Sequence, residues 1–275
     1  FTQAAWDAAK TQALRELTTR RYPVGRLSST RADIDPEART ARLSVTLDSG
    51  PLYRLGPLQI SGTQRYGTDL VQRLARLGPG ADYDQTRLVE AQRRLTDSGY
   101  FDSAVVSLDT AGDPAAAPVL VQVREAKLKK IVLGIGASTD SGARLSVEHT
   151  DHQLPGIGWR AVSKLSLDRV TKSIGTELTS PPDDDNWRWV TSALVQREES
   201  GSFEVTSQRL RAGRTQSGER IDRSYYLQYD RAQPNDVGTP TTAEALSANY
   251  AWTQRNFDAL PFPSRGYGLG VELGG

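Results

Sequence analysis

This sequence of 275 residues has no cysteine, no methionine and only two histidines. The missing cysteine excludes disulfide frameworks and Cys-ligated zinc. It suits an oxidising compartment such as the periplasm, although many cytosolic chains share it. A charge excess of either sign is also missing. Lys and Arg total 34 against 33 Asp and Glu, a net charge of +1, so no general nucleic-acid footprint is expected. No apolar run reaches about 18 residues, so no transmembrane helix is expected. A transmembrane β-barrel stays open, because it shows its apolar surface on alternate residues only. The initial methionine is absent, and FTQAAWDAAK has neither a basic n-region nor an apolar core. The expectation is a chain that begins inside a longer reading frame, with any targeting segment upstream.

What is present divides into two textures. Residues 3–19 carry Ala4, Ala5, Ala8, Ala9, Ala13, Leu14 and Leu17, which predicts a helix with a modest apolar face. Tyr22-Pro23 closes it. Two strands follow, the second alternating Leu43, Val45 and Leu47 with polar residues, with a turn built on Asp35-Pro36 between them. Residues 52–126 repeat this order more fully as strand, helix, helix, strand, strand. Thr68 is expected to cap the first of those helices, with Leu70, Val71, Leu74 and Leu77 on one face and Gly78-Pro79-Gly80 as its stop. Asp84 is expected to cap the second, with Leu88, Ala91 and Leu95 inward and Gly99 just past its end. Residues 1–50 supply the last three elements of the same unit, so one truncated repeat precedes one complete repeat.

From Lys130 on, a period of two takes over. Trp159, Ala161, Ser163, Leu165 and Leu167 alternate with Arg160, Val162, Lys164, Ser166 and Asp168. Leu246, Ala248, Tyr250 and Trp252 form another apolar set, as do Tyr267, Leu269, Val271 and Leu273. Two segments match poorly: 171–179 is short, and 203–215 has arginines on both faces. Strands longer than the typical ~5–6 residues, strict alternation and a polar second face favour a barrel with a wet interior. Trp159, Trp187, Trp189, Tyr225, Tyr250 and Trp252 fit an interfacial aromatic belt. A soluble β-sandwich or lipocalin-like barrel is the alternative.

Candidate chemistry is thin. Leu133–Gly142, LGIGASTDSG, starts like a phosphate loop, yet Thr139 stands where the third glycine belongs and a strand follows. His149 and His152 could ligate a metal with Asp151 if a turn reunites them, but on a strand they point to opposite faces, and a solvated strand end is the expected reading. Asp183-Asp184-Asp185 lacks the spacing of a calcium loop and reads as a solvated turn. Asp69, Asp82, Asp84 and Glu90 suit helix starts and an exposed helix face. Arg209, Arg211 and Arg214 make either an anion stripe or part of a barrel lumen. No serine sits in Gly-x-Ser-x-Gly. Neither a catalytic residue, a metal site nor a cofactor is expected.

The order of three motifs adds a resemblance that covers essentially the whole chain. GADYDQTRLVEAQRRLTDSGYFDSAVV and LDSGPLYRLGPLQISG resemble POTRA domains and the junction between two of them. GIGASTDSGARLSVEHTDHQLPGIGWRA resembles the opening strands of an Omp85-superfamily barrel, with its Leu-x-Gly-x-Gly turn at Leu154, Gly156 and Gly158. GASTDSG and YAWTQRNFDALPFPSRGYGL are most similar to the TamA type within that superfamily, a relative of the BamA type. The fold implied is α+β POTRA domains (βααββ) followed by an antiparallel transmembrane β-barrel. Residues 1–50 would end one POTRA domain, 51–128 would be a complete one, and 129–275 would begin the barrel. About nine strands of a family barrel's roughly sixteen would be present. Ser264–Tyr267, SRGY, matches the family's Arg-Gly-Tyr/Phe motif in spelling but sits at a turn with Pro261-Phe262-Pro263 before the ninth strand.

The role implied is a non-enzymatic factor that assembles and inserts outer-membrane proteins and autotransporters. It would sit in the bacterial outer membrane with periplasmic N-terminal domains. Its partners would be a TamB-like inner-membrane protein, unfolded outer-membrane clients and the lipid bilayer, with no nucleic acid. The lateral seam would run along the first barrel strand through Ile131, Leu133, Gly134, Ile135, Gly136 and Ala137. The glycines either weaken that strand's pairing or relieve crowding at a kink. A two-partner secretion barrel and a soluble periplasmic scaffold are the alternatives.

Overall fold

The computed structural model describes residues 2–200, 203–218, 220–234, 241–258 and 262–275. The chain divides into two compact units, Phe1–Ala126 and Lys127–Gly275.

The first unit opens with helix α1 (Gln3–Thr19), started by Thr2, whose hydroxyl accepts from the Ala5 N–H at 3.3 Å. Only Trp6 is buried on it, as an alanine-rich face with few large side chains requires. Strands β1 (Arg26–Asp35) and β2 (Thr40–Asp48) pair as an antiparallel hairpin. The expected Asp-Pro turn joins them, with Asp35 Oδ1 accepting from the Ala38 N–H at 2.9 Å.

The expected strand, helix, helix, strand, strand order then follows as β3 (Leu55–Ser61), α2 (Thr68–Ala75), α3 (Gln85–Asp97), β4 (Phe101–Leu108) and β5 (Ala117–Glu125). The sheet order is β3-β5-β4, with β3 parallel and β4 antiparallel to the central β5. Alternation along β5 buries Ala117, Val119, Val121 and Val123 against one side. Leu70, Val71 and Leu74 of α2 and Leu88, Ala91 and Leu95 of α3 close over them, with Tyr100 among the most buried side chains. Three-and-four spacing on the helices meets two-residue spacing on the strands in a single core.

Helix ends follow the sequence in part. Asp84 caps α3 by accepting from the Thr86 N–H at 2.8 Å, and Gly99 beyond its C-cap has φ +78°. Truncating that cap, Asp84→Ala, will cost about 1 kcal/mol, measured as faster amide exchange at the start of α3. For α2 the cap position is Gly67, which offers no side-chain oxygen, and Thr68 is already the first helical residue. This helix stops at Arg76 in the left-handed region, φ 54°, before Gly78 is reached. The Gly-Pro-Gly run therefore shapes the following loop and does not end the helix.

Among the described residues, the second unit is one antiparallel sheet of nine strands in chain order, from β6 to β14. These are β6 (Lys129–Ser138), β7 (Gly142–Asp151), β8 (Arg160–Leu167), β9 (Thr171–Thr179), β10 (Trp187–Ser200), β11 (Phe203–Ser217), β12 (Ile221–Pro234), β13 (Ala243–Phe257) and β14 (Gly266–Gly274). The count of about nine holds, and both poorly matching segments are strands. The expected Pro261 turn lies outside the described residues. Ser264 and Arg265, just before β14, form a turn held by Asp258 Oδ1, which accepts from both backbone N–H groups at 3.0 and 3.1 Å.

The register sorts side chains into two faces. One row runs Ile135, Leu145, Leu167 across β6, β7 and β8, and another runs Leu210, Tyr229, Leu246 across β11, β12 and β13. These apolar residues are open, Ile135 at 88 % and Leu246 at 72 % exposure. So broad an uncovered apolar face is foreign to a soluble monomer and demands lipid or a partner. The opposite face is polar. Arg209 Nε donates to Asp230 Oδ1 at 2.7 Å, and Arg211 donates to Gln228 Oε1 at 2.8 Å while lying 4.2 Å from the Tyr226 ring centroid. Arg214 differs in parity. It lies on the apolar face, paired with Asp183 at 2.5 Å and within 5.1 Å of the Trp189 ring centroid. Of the three-arginine stripe, only Arg209 and Arg211 share the polar face. That division explains why β11 alternates so poorly.

Candidate functional site

The seam residues occupy β6, which ends the nine-strand order. Its pairing to β7 is regular, Ile131 opposite His149, Leu133 opposite Val147, Gly134 opposite Ser146, Ile135 opposite Leu145, Gly136 opposite Arg144 and Ala137 opposite Ala143. Ile131, Leu133, Ile135 and Ala137 thus share the apolar face, while Gly134 and Gly136 share the polar one. Side chains are easily added at those glycines. A Cβ at Gly136 meets nothing within 4 Å, and one at Gly134 meets the Ser146 hydroxyl, which can rotate away. Crowding does not explain either glycine. What both remove is side-chain packing from the strand at the sheet's limit.

Leu154, Gly156 and Gly158 lie in the connection between β7 and β8. The Leu154 N–H donates to the Trp159 carbonyl at 2.8 Å, and the Gly158 N–H to the Leu154 carbonyl at 2.9 Å. Gly156 at φ +88° and Gly158 at φ +68° take left-handed positions that a side chain would strain. His149 is within β7, whereas the buried His152 is turned by its N–H bond to the Leu128 carbonyl at 2.8 Å. No group of three or more metal-ligating side chains occurs among the described residues. Asp183 organises its turn by accepting from the Asp185 and Trp187 N–H groups at 3.1 and 2.9 Å.

In the first unit the sheet order makes β3 and β4 the outer strands. The start of β3 is sheltered, because the Leu55 N–H donates to the Ala81 carbonyl and its own carbonyl accepts from Gly80, at 2.8 and 2.7 Å. Pro57 within β3 has no N–H to offer. On β4, the Val106 N–H donates to the Gln92 side chain at 3.4 Å.

One constellation escaped the sequence reading. Glu125 Oε1 accepts from the N–H groups of Gln64, Arg65 and Tyr66 at 2.7, 2.7 and 3.0 Å, and Oε2 accepts from Arg65 Nε at 2.8 Å. The Arg65 guanidinium also donates to the Ala126 carbonyl. Burial alone would raise the Glu125 pKa. The Arg65 guanidinium and the three backbone donors outweigh it and lower the value to about 2. The partners lie 59 to 61 residues apart in sequence, so no local pattern could reveal them.

Comparisons with known proteins agree with this architecture. The POTRA family model, described as "Surface antigen variable number repeat", matches residues 53–126. The outer membrane protein assembly factor BamA of Neisseria meningitidis is 23% identical over 146 residues, covering 53% of this chain and 18% of BamA. Among solved structures, BamA from Haemophilus ducreyi lacking POTRA domains 1–3 superposes with a TM-score of 0.69 at 13% identity, over 99% of this chain and 57% of that one. CdiB from Acinetobacter baumannii superposes with a TM-score of 0.53 at 12% identity, over 100% of this chain and 54% of that one. The chain thus spans about a fifth of the curated relative's length and little over half of the solved ones. Its fold is a POTRA domain plus a large antiparallel sheet like part of a BamA or CdiB barrel. Homologues of this kind are outer-membrane proteins with periplasmic POTRA domains.

Proposed function

We propose that this chain, with the POTRA-plus-barrel make-up of the Omp85 superfamily, belongs to a factor that assembles proteins into the bacterial outer membrane. The observation that carries the reading is the polar face of β6, where Gly134 and Gly136 remove two side chains' packing from the limiting strand of the sheet. A strand that has cross-strand side-chain packing on one face alone exchanges partners more readily than one locked on both. Residues 1–50 act as the C-terminal part of a preceding POTRA domain, and the boundaries 51–128 and 129–275 divide the complete domain from the barrel. On the periplasmic side, β4, an outer strand of its sheet, accepts an incoming strand from an unfolded client or from a TamB-like partner. The closer TamA assignment rests on the motif spellings alone. A polypeptide-secreting barrel is the second reading, favoured by the fold likeness to CdiB.

The test is the double substitution Gly134→Val with Gly136→Val. Open space at Gly136 and a rotatable Ser146 hydroxyl at Gly134 predict a normally folded protein at normal levels. Client insertion, followed by heat-modifiable mobility on semi-native gels, will slow several-fold. Unchanged client assembly by a normally folded variant would overturn the role given to β6.

A further inference from the structure

The apolar face of the nine-stranded sheet is not uniform. Across β11, β12 and β13 the register aligns Ala212, Leu227 and Ala248 in one row. The next row holds Tyr225 and Tyr250, with Trp189 of β10 opposite Arg214 beside them. Small floor residues beside large rings leave an apolar groove of about 720 Å³, lined by Trp189, Ala212, Tyr225, Leu227, Ala248 and Tyr250 among others. Tyr225 and Tyr250 form the row of its lining nearer to Arg223.

Positive charge gathers just beyond. Arg223 follows on the same face, opposite Trp252 of β13 and Gln216 of β11. It is exposed and has no ion pair among the described residues. Arg214 is held between rings, 5.1 Å from the Trp189 centroid and 5.5 Å from that of Trp187. Asp183 neutralises it, yet its Nε is buried without a hydrogen-bond partner. Arg223 lies four residues from Leu227 along β12, about 13 Å at the usual strand rise. That distance separates the upper part of an acyl chain from its headgroup phosphate.

The geometry points to a binding site for one anionic glycerophospholipid on this face. An acyl chain fills the groove over Ala212 and Ala248, the tyrosine hydroxyls meet the ester and glycerol oxygens, and the phosphate pairs with Arg223. A single cation with no ion pair among the described residues selects a headgroup with net negative charge over a zwitterionic one. The placement also fixes the level of the bilayer interface, since Trp187, Trp189, Tyr225, Tyr250 and Trp252 all lie toward this one end of the sheet. This inference rests on the reading of the apolar face as lipid-facing.

Native mass spectrometry of the detergent-purified protein tests it, with titration by phosphatidylglycerol or by phosphatidylcholine of identical acyl chains. One phosphatidylglycerol will be retained at roughly tenfold lower concentration than phosphatidylcholine. Arg223→Gln will erase the headgroup preference, and Ala248→Leu will weaken both lipids by filling the groove. Equal retention of the two lipids by the native protein, or unchanged retention by both variants, would overturn the site. Heat-modifiable mobility after reconstitution separates the two levels. A protein that inserts but shows no selectivity refutes this site alone, while one that never inserts refutes the lipid-facing reading as well.

Discussion

Glu125→Gln will destabilise the POTRA unit by about 3 kcal/mol, the size expected when one member of a buried, hydrogen-bonded ion pair is removed. The side chain is only 6% exposed, and Arg65 is 30% exposed. The carboxylate oxygens serve four donors at once, and an amide NH₂ in place of one oxygen turns acceptance into repulsion. Arg65→Met will cost less, because the three backbone donors keep their acceptor. Replacing both partners by leucine will not restore stability, since it orphans those backbone N–H groups. Native-state amide exchange in α2, α3 and β5 of the whole protein reads the effect.

The same contact sets an acid limit. The folded-state pKa of Glu125, about 2, lies below its ordinary value of 4.5. Its contribution is therefore complete above pH 4.5 and is lost as pH falls from 4.5 through 2. A difference of that size corresponds to about 3 kcal/mol. The native unit will lose this increment across that window. The Glu125→Gln variant will lack this part of the pH dependence, and an equal acid sensitivity in both would remove Glu125 as the cause.

Gly213→Val will prevent the nine-stranded sheet from forming, with loss of heat-modifiable mobility. Gly213 is buried on β11 opposite Tyr226. A Cβ there falls on the Tyr225 carbonyl oxygen and within 2.6 Å of the Tyr226 Cα. These are backbone atoms, so the strands themselves must separate, and overpacking of this kind costs at least 1–3 kcal/mol in roughly comparable cores. Arg211 beside Gly213 lies against the Tyr226 ring, so the polar lattice of that face will be disturbed as well. The contrast with Gly136 is the control, because valine there meets open space. Loss of the sheet in both variants would mean that the strands tolerate no added side chain anywhere. Loss in neither would mean that β11 and β12 relax freely.

The two kinds of glycine look alike in sequence. Each stands in an alternating strand between larger residues, and no pattern separates one that admits a close approach from one that merely leaves a surface bare. Distance to the neighbouring strand separates them, and that distance exists only after the register is set. Arg209, Arg211 and Arg214 teach the same lesson. Their spacing already implied two faces, but the lattice with Asp230 and Gln228 and the pairing of Arg214 with Asp183 depend on strands and turns from elsewhere in the chain.

By itself the sequence determined the local grammar of this protein. The helix faces at Leu88, Ala91 and Leu95, the cap at Asp84 and the alternation from Lys130 onward were legible, because each depends on neighbours within a few residues. The division into an α+β unit and an all-strand unit followed, since a two-residue period with unlike faces has meaning only where those faces meet different surroundings. Tertiary structure decided what joins across distance. It set the β3-β5-β4 order that leaves β4 outermost, the capture of residues 64–66 by Glu125, and the rows that turn Ala212 and Ala248 into the floor of a groove. These features are set by contacts between residues far apart in the chain, and chain periodicity carries no record of which distant strand becomes a neighbour.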